Sequence, residues 1–193
     1  MKITPFYTNI WVFDTNENFD EELLICTNIE KSTVSEKKSN MLGYQSTNYS
    51  GDNLHTLFPN IVTKLHDYIS TVATDVNANL VVDNFWFNVN RKHHYNLSHM
   101  HPYASYSSVL YLKAHDLCGD LVFENPTTSY AFPLNDKNEN NFGIWRERPK
   151  QNKLIIFPAY LRHYVEPNMT DEKRVSLTIN FRDQMYNSMR PGQ

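Results

Sequence analysis

The sequence predicts an α+β domain in which N-terminal scaffold helices cover a mainly antiparallel, jelly-roll (cupin-like) barrel. Up to Asn79 the apolar residues recur at helical spacing; beyond it the period falls from 3.6 to 2, in short segments rich in β-branched and aromatic residues. The composition agrees: 12 Tyr, 11 Phe and 3 Trp against 5 Gly in 193 residues describe a packed, sheet-rich core rather than low complexity. Helices followed by a run of strands is the α+β order, and closing the sheet removes open edges. This length suits a single domain spanning 1–193, with a helical part over about 17–78 and a barrel core over about 80–183.

Taken in order, Ile3, Phe6, Ile10 and Val12 alternate with polar residues and predict an edge strand or extended arm. Phe19, Leu23, Leu24 and Ile29 predict a helix over Phe19 to Lys31, with acidic residues in the first turn where the helix dipole favours them. Residues 32–53 are rich in Ser, Asn and Lys and read as a long loop, either a lid or a surface excursion. From Leu57 to Val76 a continuous i, i+3/i+4 stripe predicts the clearest helix, with Pro59 in its first turn. LVVDNFWFNVN, SYSSVLYLKA, GDLVFENP, NKLIIFP and RVSLTINFR then read as strands. Between the third and fourth, Thr127 to Lys150 form a polar stretch carrying Phe132, Phe142 and Trp145, a second candidate lid or a plain insertion.

A net charge of -3 and a pI near 6.2 supply no basic stripe, so nucleic acid is not expected as a partner. Cys26 and Cys118 stand apart, without finger or CxxC spacing, and are expected as buried thiols. The first 24 residues hold no apolar run of signal-peptide length, and no stretch reaches the roughly 18 apolar residues of a membrane span. The expected location is the cytoplasm, a reducing compartment that suits a ferrous site.

Chemistry concentrates in three places. In His99-Met100-His101 a period-2 backbone sends both imidazoles to one face, a common way to ligate a transition metal but a weak signal alone. The apolar strand LIIFPAYLRH ends in a turn presenting His163, and Arg174-Val175-Ser176 follows with Arg and Ser on one face. Three ligands that leave positions for an oxo-acid and dioxygen, plus a cation for the acid's far carboxylate, make an oxygenase site. Arg174 pairing with Asp171 or Glu172, and Tyr111 as simple core packing, are the bland alternatives. His93 and His94 read as solvated loop residues.

The segments HMHP, SSVLYL, GDLVFENP, LIIFPAYLRHYVEP and RVSLTINF, in this order, resemble the 2-oxoglutarate/iron(II) oxygenases of marine bacteria and tailed phages. The resemblance covers about residues 84–182 and begins at Trp86-Phe87-Asn88, a W-x-N pattern the family shares. It implies a double-stranded β-helix, His99 and His163 as metal ligands, and Arg174 with Ser176 holding the 5-carboxylate of 2-oxoglutarate. Tyr111 is similar to an aromatic that contacts the co-substrate, and Asn88 is placed with it. The implied cofactors are Fe(II), 2-oxoglutarate as co-substrate and O2; the implied reaction hydroxylates a protein side chain or small molecule and releases succinate and CO2. A phage source would put the protein in the host cytoplasm, and a homodimer is left open.

His101 departs from the wider superfamily, which has Asp or Glu there. Three readings follow: His101 is the third ligand, a carboxylate such as Asp120 or Glu124 takes its place, or water does. A metal-binding cupin-like module without turnover, and a three-histidine zinc hydrolase, are the rival functions.

Overall fold

A computed structural model describes residues 8–126 and 143–187. The chain runs β1 (Trp11–Asp14), α1 (Asp20–Ser32), β2 (Asn40–Met41), β3 (Tyr44–Gln45), β4 (Tyr49–Ser50), a 3-10 turn at Gly51–Asn53, α2 (Leu54–Leu57) and α3 (Ile61–Asp75). It continues as β5 (Leu80–Asn90), β6 (Tyr95–His99), β7 (Tyr106–Lys113), β8 (Leu121–Glu124), β9 (Ile144–Glu147), β10 (Lys153–Pro158), β11 (His163–Val165), β12 (Arg174–Asp183) and α4 (Gln184–Asn187). The larger sheet has the order β1-β10-β7-β12-β5-β3, with β4 also on β5, and the smaller β2-β6-β11-β8-β9. Every pairing is antiparallel.

Two apolar clusters hold these layers together. One joins the helices, through Phe19, Cys26, Phe58, Ile61, Leu65 and Val72, to one face of the larger sheet. The other, including Val109, Phe123, Ile155 and Phe157, lies between the two sheets. β12 contributes to both layers because its side chains alternate: Val175, Leu177, Ile179 and Phe181 join the helix-side cluster. Arg174, Ser176, Thr178 and Asn180, on the opposite face, are buried as well. A polar row normally faces water in such an alternation; here it is enclosed and must find partners.

The expected helix over Leu57 to Val76 is interrupted. Phe58 sits at φ -129, ψ 77, outside the α region, as the residue before Pro59 must to avoid the pyrrolidine ring. A short helix therefore ends at Leu57 and the long one starts at Ile61. Within α1 the stripe is narrower than expected, since Leu24 faces solvent. Residues 32–53 are also not one free loop: Asn40–Met41 pairs with β6, and Tyr44–Gln45 and Tyr49–Ser50 pair with β5. Gly51 lets this segment lie flat on β5, because a Cβ there would stand 2.3 Å from the Val82 carbonyl oxygen.

β9 occupies the end of the second candidate lid and pairs with β8, so Trp145 is a strand residue; Phe132 and Phe142 lie outside the described residues. Ile3 and Phe6 also lie outside them. The edge strand expected near Val12 is β1. Cys26 and Cys118 are free and buried.

Candidate metal and anion site

Antiparallel register places the inward side chains of β7, β12 and β5 in three cross-strand rows. They are Tyr111–Ser176–Asn88, Val109–Thr178–Trp86 and Ser107–Asn180–Asn84. With two residues per inward step, the first and third rows stand roughly 13 Å apart along the strands. The pocket between the sheets is lined by members of the first two rows together with His99, His101, His163 and Arg174.

The histidines converge from the smaller sheet. His163 opens β11 directly opposite His99, the last residue of β6. His101 is not on the strand as the period-2 reading expects. β6 ends at His99, and the backbone N–H of His101 donates to the Ala159 carbonyl at 3.0 Å, which turns the chain toward the FPAYLRH turn. Met100 still points away and is 43 % exposed. The ring centroids are 5.2 Å apart for His99 and His101, 4.4 Å for His99 and His163, and 5.0 Å for His101 and His163. One nitrogen from each ring lies within 4.8 Å of the others.

Hydrogen bonds decide which nitrogen each ring offers. His99 Nδ1 lies 2.7 Å from the Leu97 carbonyl and His163 Nδ1 2.9 Å from that of Leu161. A carbonyl only accepts, so both Nδ1 atoms carry the proton and both Nε2 atoms keep a free lone pair. His101 Nδ1 lies 2.7 Å from Asn180 Oδ1 and 2.9 Å from Ser107 Oγ, and its buried Nε2 has no partner among the described residues. Burying such an atom without a bond is costly, and a metal ion removes the cost. Three imidazole lone pairs in this arrangement fit a divalent transition metal.

Burial also holds the rings neutral. It lowers His99, assisted by the Arg162 cation, and brings His101 to about 4. His163 lies well below its ordinary value through burial and its two histidine neighbours. The unfolded chain takes up these protons first, so the metal-free protein keeps this stability above pH 6.5 and loses it as pH falls toward 4. His101 alone contributes on the order of 3 kcal/mol to that loss. Urea melts of the metal-free protein at pH 7 and pH 5 check this; equal midpoints would contradict it.

The carboxylate alternatives do not reach the cluster. Among the described residues the group that can hold a metal contains the three histidines and no acid. Glu124 instead accepts from Ser98 Oγ at 2.6 Å, and Asp120 stands at the head of β8 with its carbonyl accepting from Glu166.

At the other end, Arg174 is 1 % exposed. Its Nη1 donates to the carbonyls of Cys118 and Gly119, the second at 3.0 Å. Among the described residues no carboxylate pairs with it: Asp171 is taken by Lys92 and Glu172 by Lys113. The Tyr111 hydroxyl in the adjacent row is buried without a partner among the described residues, and burial raises its pKa and lowers that of Arg174. Asn88 Oδ1 accepts from Asn40 Nδ2 at 3.0 Å, which leaves its N–H groups for the pocket. A buried guanidinium without an acid, beside an unpartnered hydroxyl, fits an anion.

Gly119 sets the Arg174 contact. It has φ +92, and a Cβ there would stand 2.1 Å from the Glu166 carbonyl oxygen. Gly119→Ala is expected to cost about 1–3 kcal/mol and to loosen Arg174, measured as a lowered thermal midpoint; an unchanged one would contradict it.

Sequence reasoning missed Ser107, Asn84 and Asp83, which stand with Asn180 behind His101. The available signal was Asn in the interior of strands, where it is unfavourable. His93 is exposed, and His94 Nδ1 accepts from the Arg91 backbone outside the pocket lining.

Residues 84–180, half of the chain, match the family model described as "Putative 2OG-Fe(II) oxygenase". No curated protein matches the sequence. Three solved structures show the same architecture at low identity. The prolyl hydroxylase of Trichoplax adhaerens, in complex with a hypoxia inducible factor peptide fragment, is 13% identical, with 95% of this chain and 87% of that one covered and a TM-score of 0.63. HygX of Streptomyces hygroscopicus, with nickel and 2-oxoglutarate bound, is 10% identical over 92% and 84%, with a TM-score of 0.64. The epimerase SnoN, with Fe3+, alpha ketoglutarate and nogalamycin RO, is 12% identical over 96% and 87%, with a TM-score of 0.67. The shared fold is the jelly roll expected from the strand pattern, and the double-stranded β-helix that the family resemblance implies.

Proposed function

Because the chain belongs to the 2OG-Fe(II) oxygenase family, we propose that it is a 2-oxoglutarate-dependent dioxygenase hydroxylating a protein side chain or a small molecule, with His99, His101 and His163 as its metal ligands. Bound by these three histidines, iron(II) would supply activation of O2, coupling hydroxylation of the substrate to oxidation of 2-oxoglutarate to succinate and CO2. One observation carries the reading: a single pocket holds both an imidazole nitrogen, His101 Nε2, and a buried guanidinium, Arg174, that have no partner and no acid, respectively, among the described residues.

Each residue has a distinct part. His99, His101 and His163 would hold the metal through Nε2, the nitrogens that their Nδ1 hydrogen bonds leave free. Arg174 and Ser176 hold the 5-carboxylate of 2-oxoglutarate, with the Tyr111 hydroxyl and the Asn88 amide donating beside them. The burial that desolvates Arg174 also strengthens its attraction for that carboxylate. Trp86, with its ring 5.3 Å from His101, and Phe157, at 4.8 Å from His163, wall the metal end and exclude water. With histidine in place of the usual acid, the site carries one more positive charge and attracts an anionic co-substrate more strongly.

The peptide complex of the prolyl hydroxylase and the nogalamycin complex of the epimerase support keeping both substrate classes. We place the enzyme, as a single domain, in the cytoplasm. Among the described residues no helix is long and apolar enough to cross a membrane.

Anaerobic addition of Fe(II) and then 2-oxoglutarate tests the reading. A weak visible charge-transfer band, as a chelated keto acid gives, is expected. Bound iron without the band would favour the barrel that binds metal without turnover.

A further inference from the structure

His99 and His163 have their tautomers set by backbone carbonyls, which cannot reverse. His101 has no such partner. Its Nδ1 faces Ser107 Oγ and the Asn180 side chain. A hydroxyl donates or accepts equally well, and an amide can turn end for end, so neither selects a tautomer by itself.

The selection lies two residues further back. Asn180 Nδ2 donates to Asn84 Oδ1 at 3.0 Å, and Asn84 Nδ2 donates to Asp83 Oδ2 at 2.8 Å. Asp83 ends the chain with a carboxylate, which only accepts. Asn84 must therefore present Nδ2 to Asp83 and Oδ1 to Asn180; Asn180 then presents Nδ2 to Asn84 and Oδ1 to His101. The proton of His101 is fixed on Nδ1 and its lone pair on Nε2.

A β-bulge makes this contact possible. Asn180 pairs with Asn84 but Phe181 pairs with Val82, so Asp83 is the extra residue of β5. Neighbours on a regular strand point to opposite faces; a bulge re-aims one of them, here bringing two consecutive side chains into hydrogen-bond contact. Arg182 Nε, 3.8 Å from Asp83 Oδ1, stands on the other carboxylate oxygen.

We propose that Asp83, Asn84 and Asn180 form a directed hydrogen-bond relay that holds His101 in its metal-binding tautomer, returning to the third ligand, through two amides, the carboxylate that its own position lacks. All three are positioning residues. The inference rests on the reading of His101 as a metal ligand. Partners behind a metal-bound histidine commonly contribute 10- to 100-fold in metal affinity, and this relay is placed to act in that way.

The test uses the whole protein and Co(II) as probe. Asp83→Asn replaces the end of the relay with a reversible amide at a partly exposed position. It is expected to weaken Co(II) binding roughly tenfold and, in the metal-free protein, to shift the His101 ring-nitrogen NMR signals toward the tautomer protonated on Nε2. Adding Asn180→Asp, which puts an acceptor-only group directly on Nδ1, is expected to restore both readouts. Unchanged Co(II) affinity and tautomer in Asp83→Asn, whatever its thermal midpoint, would overturn the relay while leaving the metal site standing. Failure of the parent protein to bind Co(II) would overturn both. Should Asp83→Asn fail to fold, Asn180→Asp alone decides: affinity below the parent's would overturn the relay.

Discussion

Replacing His163 with alanine is expected to abolish metal binding. Its ring lies 4.4 Å from that of His99 and 5.0 Å from that of His101, so its loss leaves two ligands with no third donor in reach among the described residues. The effect should exceed the 10- to 100-fold typical of removing a partner behind a ligand. The fold should survive, since His163 sits at a strand end and its loss opens only a small void beside Phe157 and Phe123. Elemental analysis of the purified variant checks this: metal near zero is expected, against one equivalent in the parent. A fully metallated His163→Ala protein would remove His163 from the ligand set.

Arg174→Ala is expected to separate the two halves of the site. Truncating one partner of a buried charge pair costs about 2–5 kcal/mol, or roughly 30- to several-thousand-fold in affinity. That loss should fall on 2-oxoglutarate. Metal affinity should stay near the parent value, because Arg174 adjoins the Tyr111–Ser176–Asn88 row and His101 leans on the Ser107–Asn180–Asn84 row. Arg174→Lys should fall between, since an ammonium keeps the charge but not the planar fork. Titrating 2-oxoglutarate into the iron-loaded variants under anaerobic conditions measures both effects. Equal affinity in parent and Arg174→Ala would end the assignment of Arg174 to the co-substrate.

Much of this site was legible one strand at a time. Alternation in RVSLTINF put Arg174 and Ser176 on one face, and the same period carried on to Thr178 and Asn180. What alternation could not show is that both faces of β12 are buried, which turns the polar row from a solvent face into a pocket wall. Lys92 and Lys113 likewise had to be located before Asp171 and Glu172 were known to be taken, leaving Arg174 without an acid among the described residues. The loop over 32–53 misled for a related reason: its two-residue strands are too short to show a period, and their pairing partners, β5 and β6, come later in the chain.

By itself the sequence determined whatever depends on neighbours within a few residues. That covers the change of period after Asn79, the identity of β5, β7, β8, β10 and β12, the face on which their side chains stand, and the residue types at 99, 101, 163 and 174. Tertiary structure alone decided the register that sets Tyr111, Ser176 and Asn88 side by side, the meeting of His163 with His99, and the bulge that brings Asp83 beside Asn84. Side-chain direction on a strand follows from local backbone geometry. Register is chosen by pairing between segments far apart, where a shift of one residue would carry the whole polar row to the other face.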